Sequence, residues 1–204
     1  NGFLVARCKI PSFIATLGMM SVARSLALII AEGKTLYNFP AQVRWFGNGH
    51  IGLIHVPVIM ALIVILALAY ILAQTRFGRH IYAIGGNREA VNLSGINVDW
   101  VEIRAYMISG LLAGIAAVIL VGRLNAAQPI AGNGYELDAI AATVIGGTSL
   151  IGGFGSVFGT LAGALILGVL QNGMTLLNVS SYSQRLIIGM MIIMAVFLDQ
   201  IRRG

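Results

Sequence analysis

Residues 128–159 read QPIAGNGYELDAIAATVIGGTSLIGGFGSVFG, and this stretch decides the fold class. It opens as a polar, glycine-rich loop that carries two carboxylates, Glu136 and Asp138. An apolar run over 137–150 follows and gives way to a turn rich in glycine, with Gly146, Gly147, Gly152 and Gly153. As a helix, its fourteen residues would reach about 21 Å, short of a hydrocarbon core of about 30 Å. A short apolar segment bounded by acids and glycines is a poor lipid anchor. It suits a helical bundle that must open a polar path across the membrane.

Composition agrees. Of 204 residues, 58% are hydrophobic and 10% are charged, with a mean hydropathy of +0.89. Soluble domains carry about 25% charged residues, so most of this surface does not face water. The apolar runs are continuous rather than alternating, which excludes a transmembrane barrel and predicts an all-α, polytopic transmembrane bundle. The net charge of +6 comes from basic residues set between apolar runs, a pattern of membrane topology and not of nucleic-acid binding. Cys8 is the single cysteine, which excludes an intrachain disulfide and a Cys-based metal site. The chain opens at Asn1 in mid-phrase without a signal-peptide pattern, and reads as the C-terminal part of a longer, N-terminally incomplete domain spanning 1–204.

About six membrane segments fit, over 12–31, 56–73, 105–122, 137–150, 155–174 and 184–198. Placing the 75–104 loop in the cytoplasm puts eight basic residues on that side: Arg7, Lys9, Arg76, Arg79, Arg88, Arg104, Arg202 and Arg203. Four fall outside, Lys34, Arg44, Arg123 and Arg185, and Arg24 lies within a span. The asymmetry follows the positive-inside rule, and six crossings return the tail to the side of Arg7. The outer 32–55 loop, with Tyr37 and Trp45, reads as a re-entrant or interfacial segment whose rings form an aromatic belt.

The 75–104 loop has more punctuation than a connector needs. Asn87 can cap a short helix with Glu89 in its first turn, Ala90 and Leu93 share a face, and Gly95 can end it. Asp99 with Glu102 then forms a capping-box pattern for the next helix. Gly155, Gly159 and Gly163 fall on one helical face at four-residue spacing, as do Gly110 and Gly114, a device for close helix packing in lipid that extends naturally to a contact between two copies of the chain. Arg24 is costly in a span, roughly 2.5–3.5 kcal/mol on insertion scales, so it either lines a polar substrate path or pairs with a structural partner. Glu136 and Asp138 either cap the short helix or contact a partner at the outer mouth. Gln171 and Asn172 either hydrogen-bond a polar solute or bond neighbouring helices.

These stretches resemble the membrane subunit of bacterial ribose-type monosaccharide ABC importers. The likeness is carried by IPSFIATLG at 10–18, YAIGGN at 82–87, LSGIN at 93–97 and residues 128–149, and it runs over nearly the whole chain. The resemblance implies a permease of the bacterial inner membrane working as a homodimer. Its partners would be ATP-binding cassette subunits, which bind ATP and Mg, and a periplasmic sugar-binding protein, with no cofactor in this chain. It implies that 75–104 is a cytoplasmic coupling loop, with Gly86, Asn87, Arg88, Glu89, Ala90, Leu93, Ser94 and Gly95 meeting the ATPase. Glu136 and Asp138 then lie on the binding-protein side, and Arg24, Gln171 and Asn172 on the substrate path. Ribose is the first expectation for the sugar, with xylose, arabinose and galactose open. The family's upstream GIDLSVG motif is not in these residues.

Catalytic patterns are missing. Gly33-Lys34-Thr35 has Leu28 where a phosphate-binding loop needs its first glycine, and Phe158 interrupts a G-x-G-x-x-G match. His50, His55 and His80 lack metal-ligand spacing. An ion-coupled secondary transporter, the main alternative, should show acids within spans, whereas here they lie at span ends or in loops. An intramembrane enzyme would need a nucleophile–base pair at matched depth, and none is evident.

Overall fold

Long apolar runs with few charges become single helices in the computed structural model, which describes residues 1–201, with side chains through 197. The helices are α1 Gly2–Ala6, α2 Ser12–Ile30, α3 Ala41–Asn48, α4 Val56–Gln74, α5 Arg76–Gly86, α6 Arg88–Leu93, α7 Val98–Leu124, α8 Tyr135–Ile145, α9 Val157–Leu176 and α10 Ser181–Ile201. Four of these, α2, α4, α7 and α9, are long and apolar enough to cross a membrane, and α10 has a shorter apolar stretch, Ser181–Phe197. Large side chains such as Phe13, Ile63, Met107 and Val169 are exposed on them, as expected where lipid replaces water. The chain is a multi-pass, all-α membrane protein. Arg202 and Arg203, counted above for topology, lie outside the described residues.

Several expected boundaries move. The short segment expected over 137–150 is a helix only over Tyr135–Ile145, about 16 Å, half a hydrocarbon core. It stops because Gly146 leaves the helix and Gly147 takes φ +82°. Gly155 therefore lies ahead of α9 rather than on its face. Ser156 caps that helix instead, its hydroxyl accepting from the Gly159 N–H at 2.8 Å. The long helix α7 begins at Val98, earlier than its apolar run, and its cap is Asn97, which accepts from the Trp100 N–H at 3.1 Å. Asp99, expected as the cap, lies two residues inside that cap and bonds Lys9 at 3.1 Å instead. The opening residues form α1. The 32–55 segment holds α3 and three two-residue strands: β1 Leu36–Tyr37, β2 His50–Ile51 and β3 Ile54–His55.

Contacts sort into two compact units, Asn1–Val64 with Asn92–Ala131, and Ile65–Val91 with Gly132–Gly204. In the first, α7 is the spine. Gly2 of α1 sits against Ile103 and Tyr106, where a Cβ would come within 3.0–3.1 Å of their atoms. Gly47 of α3 sits directly on the Gly122–Arg123 backbone, and the Asn48 amide donates to the Gly122 and Arg123 carbonyls at 3.0 and 3.1 Å. That amide satisfies carbonyls which the end of α7 leaves without helical partners. The two contacts are nineteen residues apart along α7, about 28 Å, so α1 and α3 grip the spine at opposite ends of a hydrocarbon thickness. β1 pairs antiparallel with β4 (Ala126–Ala127), Leu36 opposite Ala127, and β2 pairs with β3 around Gly52. Crossing parity expects 32–55 and the loop after α7 on the same side of a membrane.

The second unit centres on an antiparallel hairpin of α8 and α9. Gly163 faces the Ala142 carbonyl and Gly159 the Gly146 carbonyl, with no room for a Cβ at either. Buried Ala141, Ala142 and Leu167 form its core, with Ile145 and Ile192 of α10 against them. Small residues let the two backbones approach, the packing predicted for Gly159 and Gly163. Gly110 and Gly114 behave otherwise: nothing lies within 4 Å of a Cβ built on either. Identical spacing closes a helix contact in one place and leaves an open face in the other.

Candidate functional site

The coupling loop predicted over 75–104 contains two helices, and the first of them, α5, was not foreseen. The Thr75 hydroxyl caps it, accepting from the Gly78 N–H at 3.2 Å. Phe77, Ile81 and Ile84 recur at the spacing of a helical face, the signal that marks it once the punctuation of the loop is set aside. The helix is seated on the turn between α8 and α9. The Tyr82 hydroxyl donates to the Gly155 carbonyl at 2.9 Å, and Gly85 lies against the Gly152–Gly153 backbone. Gly152 is at φ +107°, and a Cβ there would stand 2.9 Å from the Gly85 Cα and oxygen. Both the backbone conformation and the space demand glycine.

Inside that turn Ser149, 8% exposed, accepts from the Ile151 and Gly152 N–H groups at 3.1 Å each. The Ser149 N–H donates to the Phe154 carbonyl at 3.1 Å. Two backbone donors in a tight turn are thereby satisfied without water. A cavity of about 410 Å³ lies beside it, lined among others by Tyr82, Gly85, Thr148 and Phe154. Tyr82, Gly85 and Ser149 are residues that local reasoning left without a role, and Gly152 was named only as part of a turn. Their pattern is a glycine pair and a tyrosine in one segment and a glycine-rich turn in another, and only tertiary contact joins them.

One residue, Asn87, links α5 to α6. Its N–H donates to the Ala83 carbonyl at 2.9 Å and closes α5, while its side-chain oxygen accepts from the Ala90 N–H at 2.9 Å and opens α6. The cap expected at Asn87 is present, Glu89 is in the first turn, and Gly95 at φ +83° follows the end of the helix. On α6, Val91 is buried, while Glu89, Ala90 and Leu93 are exposed, Leu93 at 82%. Leu93 thus lies exposed on a short helix that Asn87 caps and joins directly to the seated α5. Gly86 ends α5, Arg88 starts α6, and Ser94 and Gly95 leave it.

The remaining candidates are dispersed. Arg24 is half-buried on α2 and, among the described residues, makes no hydrogen bond or ion pair. The structural pairing considered for it is thus not supplied by these residues. Glu136 accepts from the Gly134 N–H at 3.0 Å, which fits the capping reading. Asp138 and Gln171 line one cavity of about 250 Å³ together with Gln184 and Arg185, whereas Asn172, adjacent to Gln171, is exposed and not part of it. His50 and His55, set aside on spacing, face each other across the β2–β3 hairpin with ring centroids 4.1 Å apart. No cluster of three or more metal-ligating side chains occurs among the described residues.

The family model described as "Branched-chain amino acid transport system / permease component" matches residues 1–196. The chain belongs to that family. Within it, the chain is similar to the ribose import permease protein of Escherichia coli, 50% identical over 203 residues that make up 98% of this chain and 63% of the relative. The ribose import permease protein of Bacillus subtilis is 47% identical over 202 residues, again 98% of this chain and 63% of the relative. The L-arabinose transport system permease protein of Escherichia coli is 37% identical over 209 residues, 100% of this chain and 62% of the relative. The permease chain therefore spans a little under two thirds of the curated relatives it matches. No solved structure matches it significantly. The resemblance to ribose-type sugar permeases drawn from its motifs agrees with these relatives.

Proposed function

We propose that this chain is the membrane-spanning part of an ABC importer that moves a monosaccharide, ribose or a similar pentose or hexose, into the cytoplasm of a bacterium with a periplasm. ATP and Mg are bound and hydrolysed by a partner subunit, and the permease itself is not an enzyme. Residues 1–204 act as one transmembrane domain, two copies assemble, and a periplasmic sugar-binding protein delivers the sugar on the external side. The relatives named for ribose and arabinose transport support the substrate class.

The observation that carries the coupling assignment is the chain of contacts from α6 to the helical hairpin. Closure of the ATP-binding subunits would press on the exposed face of Ala90 and Leu93. Asn87, shared by the two helices, would pass the movement to α5. Tyr82 and Gly85 would pass it to the 146–156 turn and so to α8 and α9. A seat without side chains at Gly85 and Gly152 leaves little slack, and tightly packed elements shift as rigid bodies. In this reading the 75–104 loop is cytoplasmic and Arg24 lines the path.

Coupling is tested with Ala90→Asp and Leu93→Asp in the assembled transporter. A charge buried in a packed interface is strongly disfavoured, so sugar-stimulated ATP hydrolysis should fall at least tenfold while membrane insertion is retained. Unchanged stimulation in both variants would remove α6 from the contact.

A further inference from the structure

The cavity shared by Asp138, Gln171, Gln184 and Arg185 holds about 250 Å³, and all of it lies in the unit of Ile65–Val91 and Gly132–Gly204. These four groups come from the first turn of α8, the last turns of α9 and the first turns of α10, and Asn133 and Ser181 add to the polar lining. Gln171 is five residues before the end of α9 and Arg185 four residues past the start of α10, so both stand about 6–8 Å inside their helix ends. This depth is past the level where a side chain merely caps a helix.

The groups are unspent. Asp138 and Arg185 line the same cavity, yet no ion pair joins them within 4.0 Å. Neither side chain makes a hydrogen bond among the described residues, and the Gln171 side chain has none either. The Gln184 amide donates to the Val179 carbonyl at 2.9 Å and to the Thr175 hydroxyl at 3.4 Å, which leaves its oxygen to accept. Arg185 is exposed and the other three side chains are half-buried, so a solute arriving from water can reach them, and they converge on one space with hydrogen-bonding capacity that the protein leaves unused.

The set selects its ligand by chemistry. Asp138 only accepts, Arg185 only donates, and the two glutamines do both. Formal charge in the lining cancels, so an anion would face Asp138 and a cation would face Arg185. A neutral molecule with several hydroxyls, each donor and acceptor at once, satisfies all four. The rest of the wall includes Tyr135, Leu137, Ile188 and Ile192, apolar surface for the C–H face of a sugar ring. The volume falls just below the roughly 300–1,000 Å³ of pockets for drug-sized ligands, as suits a smaller one. We infer that this cavity is a binding site for a neutral polyol of monosaccharide size, held between Asp138 and Arg185. The inference rests on the sugar-permease reading and gives that transport a contact point at the end of the helices opposite the α5 seat.

Glu136 supplies the internal control. It shares the first turn of α8 with Asp138, so helix-dipole stabilisation would treat the two carboxylates alike. Glu136, however, is spent on the Gly134 N–H and does not line the cavity. The experiment measures uptake of radiolabelled D-ribose, L-arabinose and D-galactose by the full-length permease, assembled with its ATP-hydrolysing and sugar-binding partners in proteoliposomes. Asp138→Asn, Arg185→Gln and Glu136→Gln are compared at matched amounts of assembled complex and matched basal ATP hydrolysis. Loss of a charge-assisted hydrogen bond to ligand predicts about tenfold or greater loss of uptake in Asp138→Asn and Arg185→Gln, and near-normal uptake in Glu136→Gln. Equal uptake by the two carboxylate variants, whether normal or reduced, overturns the site while sugar transport by the wild type stands. Failure of the wild type to take up any of the three sugars overturns the transport reading, and this inference with it.

Discussion

The α8–α9 hairpin and the middle of α7 carry the same glycine spacing and put it to opposite uses. Along α9, Gly159 and Gly163 lie on the carbonyls of Gly146 and Ala142, and a buried trio of Ala141, Ala142 and Leu167 seals the contact. Along α7, Gly110 and Gly114 meet nothing within 4 Å. The spacing states only that one face of a helix is bare. Whether that face is occupied depends on a partner of matching smoothness, which α8 provides and no described element provides for the centre of α7. The contrast extends to polar groups. Ser156 at the head of α9 is engaged, and Arg24 on α2 has no partner among the described residues.

Replacing Gly163 by Leu should have the largest effect. The new side chain would enter the Ala142 backbone, which cannot move without separating the hairpin, so the cost should exceed the 1–3 kcal/mol usual for overpacking. Folded protein in detergent should fall severalfold, with the melting temperature of any remainder lowered. Gly114→Leu should leave both near wild type, because the space is open. Loss of folded protein from Gly114→Leu comparable to that from Gly163→Leu would break the comparison and place a further helix, or a second copy, on that face.

Arg24→Met ranks next. With no partner in the described residues to strand, the change should preserve the amount of assembled complex and basal ATP hydrolysis while reducing sugar uptake severalfold. Reduced assembly would instead assign Arg24 a buried partner in another segment or chain. Full uptake with normal assembly would mean that it only snorkels toward an interface.

Ser156→Ala should be milder, about 1 kcal/mol, the usual cost of losing an N-cap. Thermal unfolding of the purified permease would report it as a small downward shift, well short of that for Gly163→Leu. A larger shift would show that the cap also fixes the register in which Gly159 meets Gly146.

Residue patterns made much of this architecture legible. The helices α2 and α4 begin where the apolar runs over 12–31 and 56–73 were expected to begin, since apolar length and flanking proline act locally. Asn87 and Gly95 bound α6 as their capping chemistry requires. Where other boundaries moved, a local rule lost to a stronger neighbour: Asn97 captures the start of α7 ahead of Asp99, and Gly146 stops α8 before its apolar run is exhausted. The amphipathic face of α5 was in the sequence too, but its meaning depended on knowing what it lies against.

The sequence by itself determined that this chain lives in a membrane as a helical, multi-pass permease, because hydrocarbon admits few solutions for a continuous apolar run and because family motifs survive as short contiguous strings. The tertiary structure decided which bare helix faces are filled, that Tyr82 and Gly85 rest on the turn between α8 and α9, and that Asp138, Gln171, Gln184 and Arg185 share one cavity. Those outcomes depend on distances between residues as many as 73 positions apart in the chain, as Tyr82 and Gly155 are, and no local preference encodes such a distance.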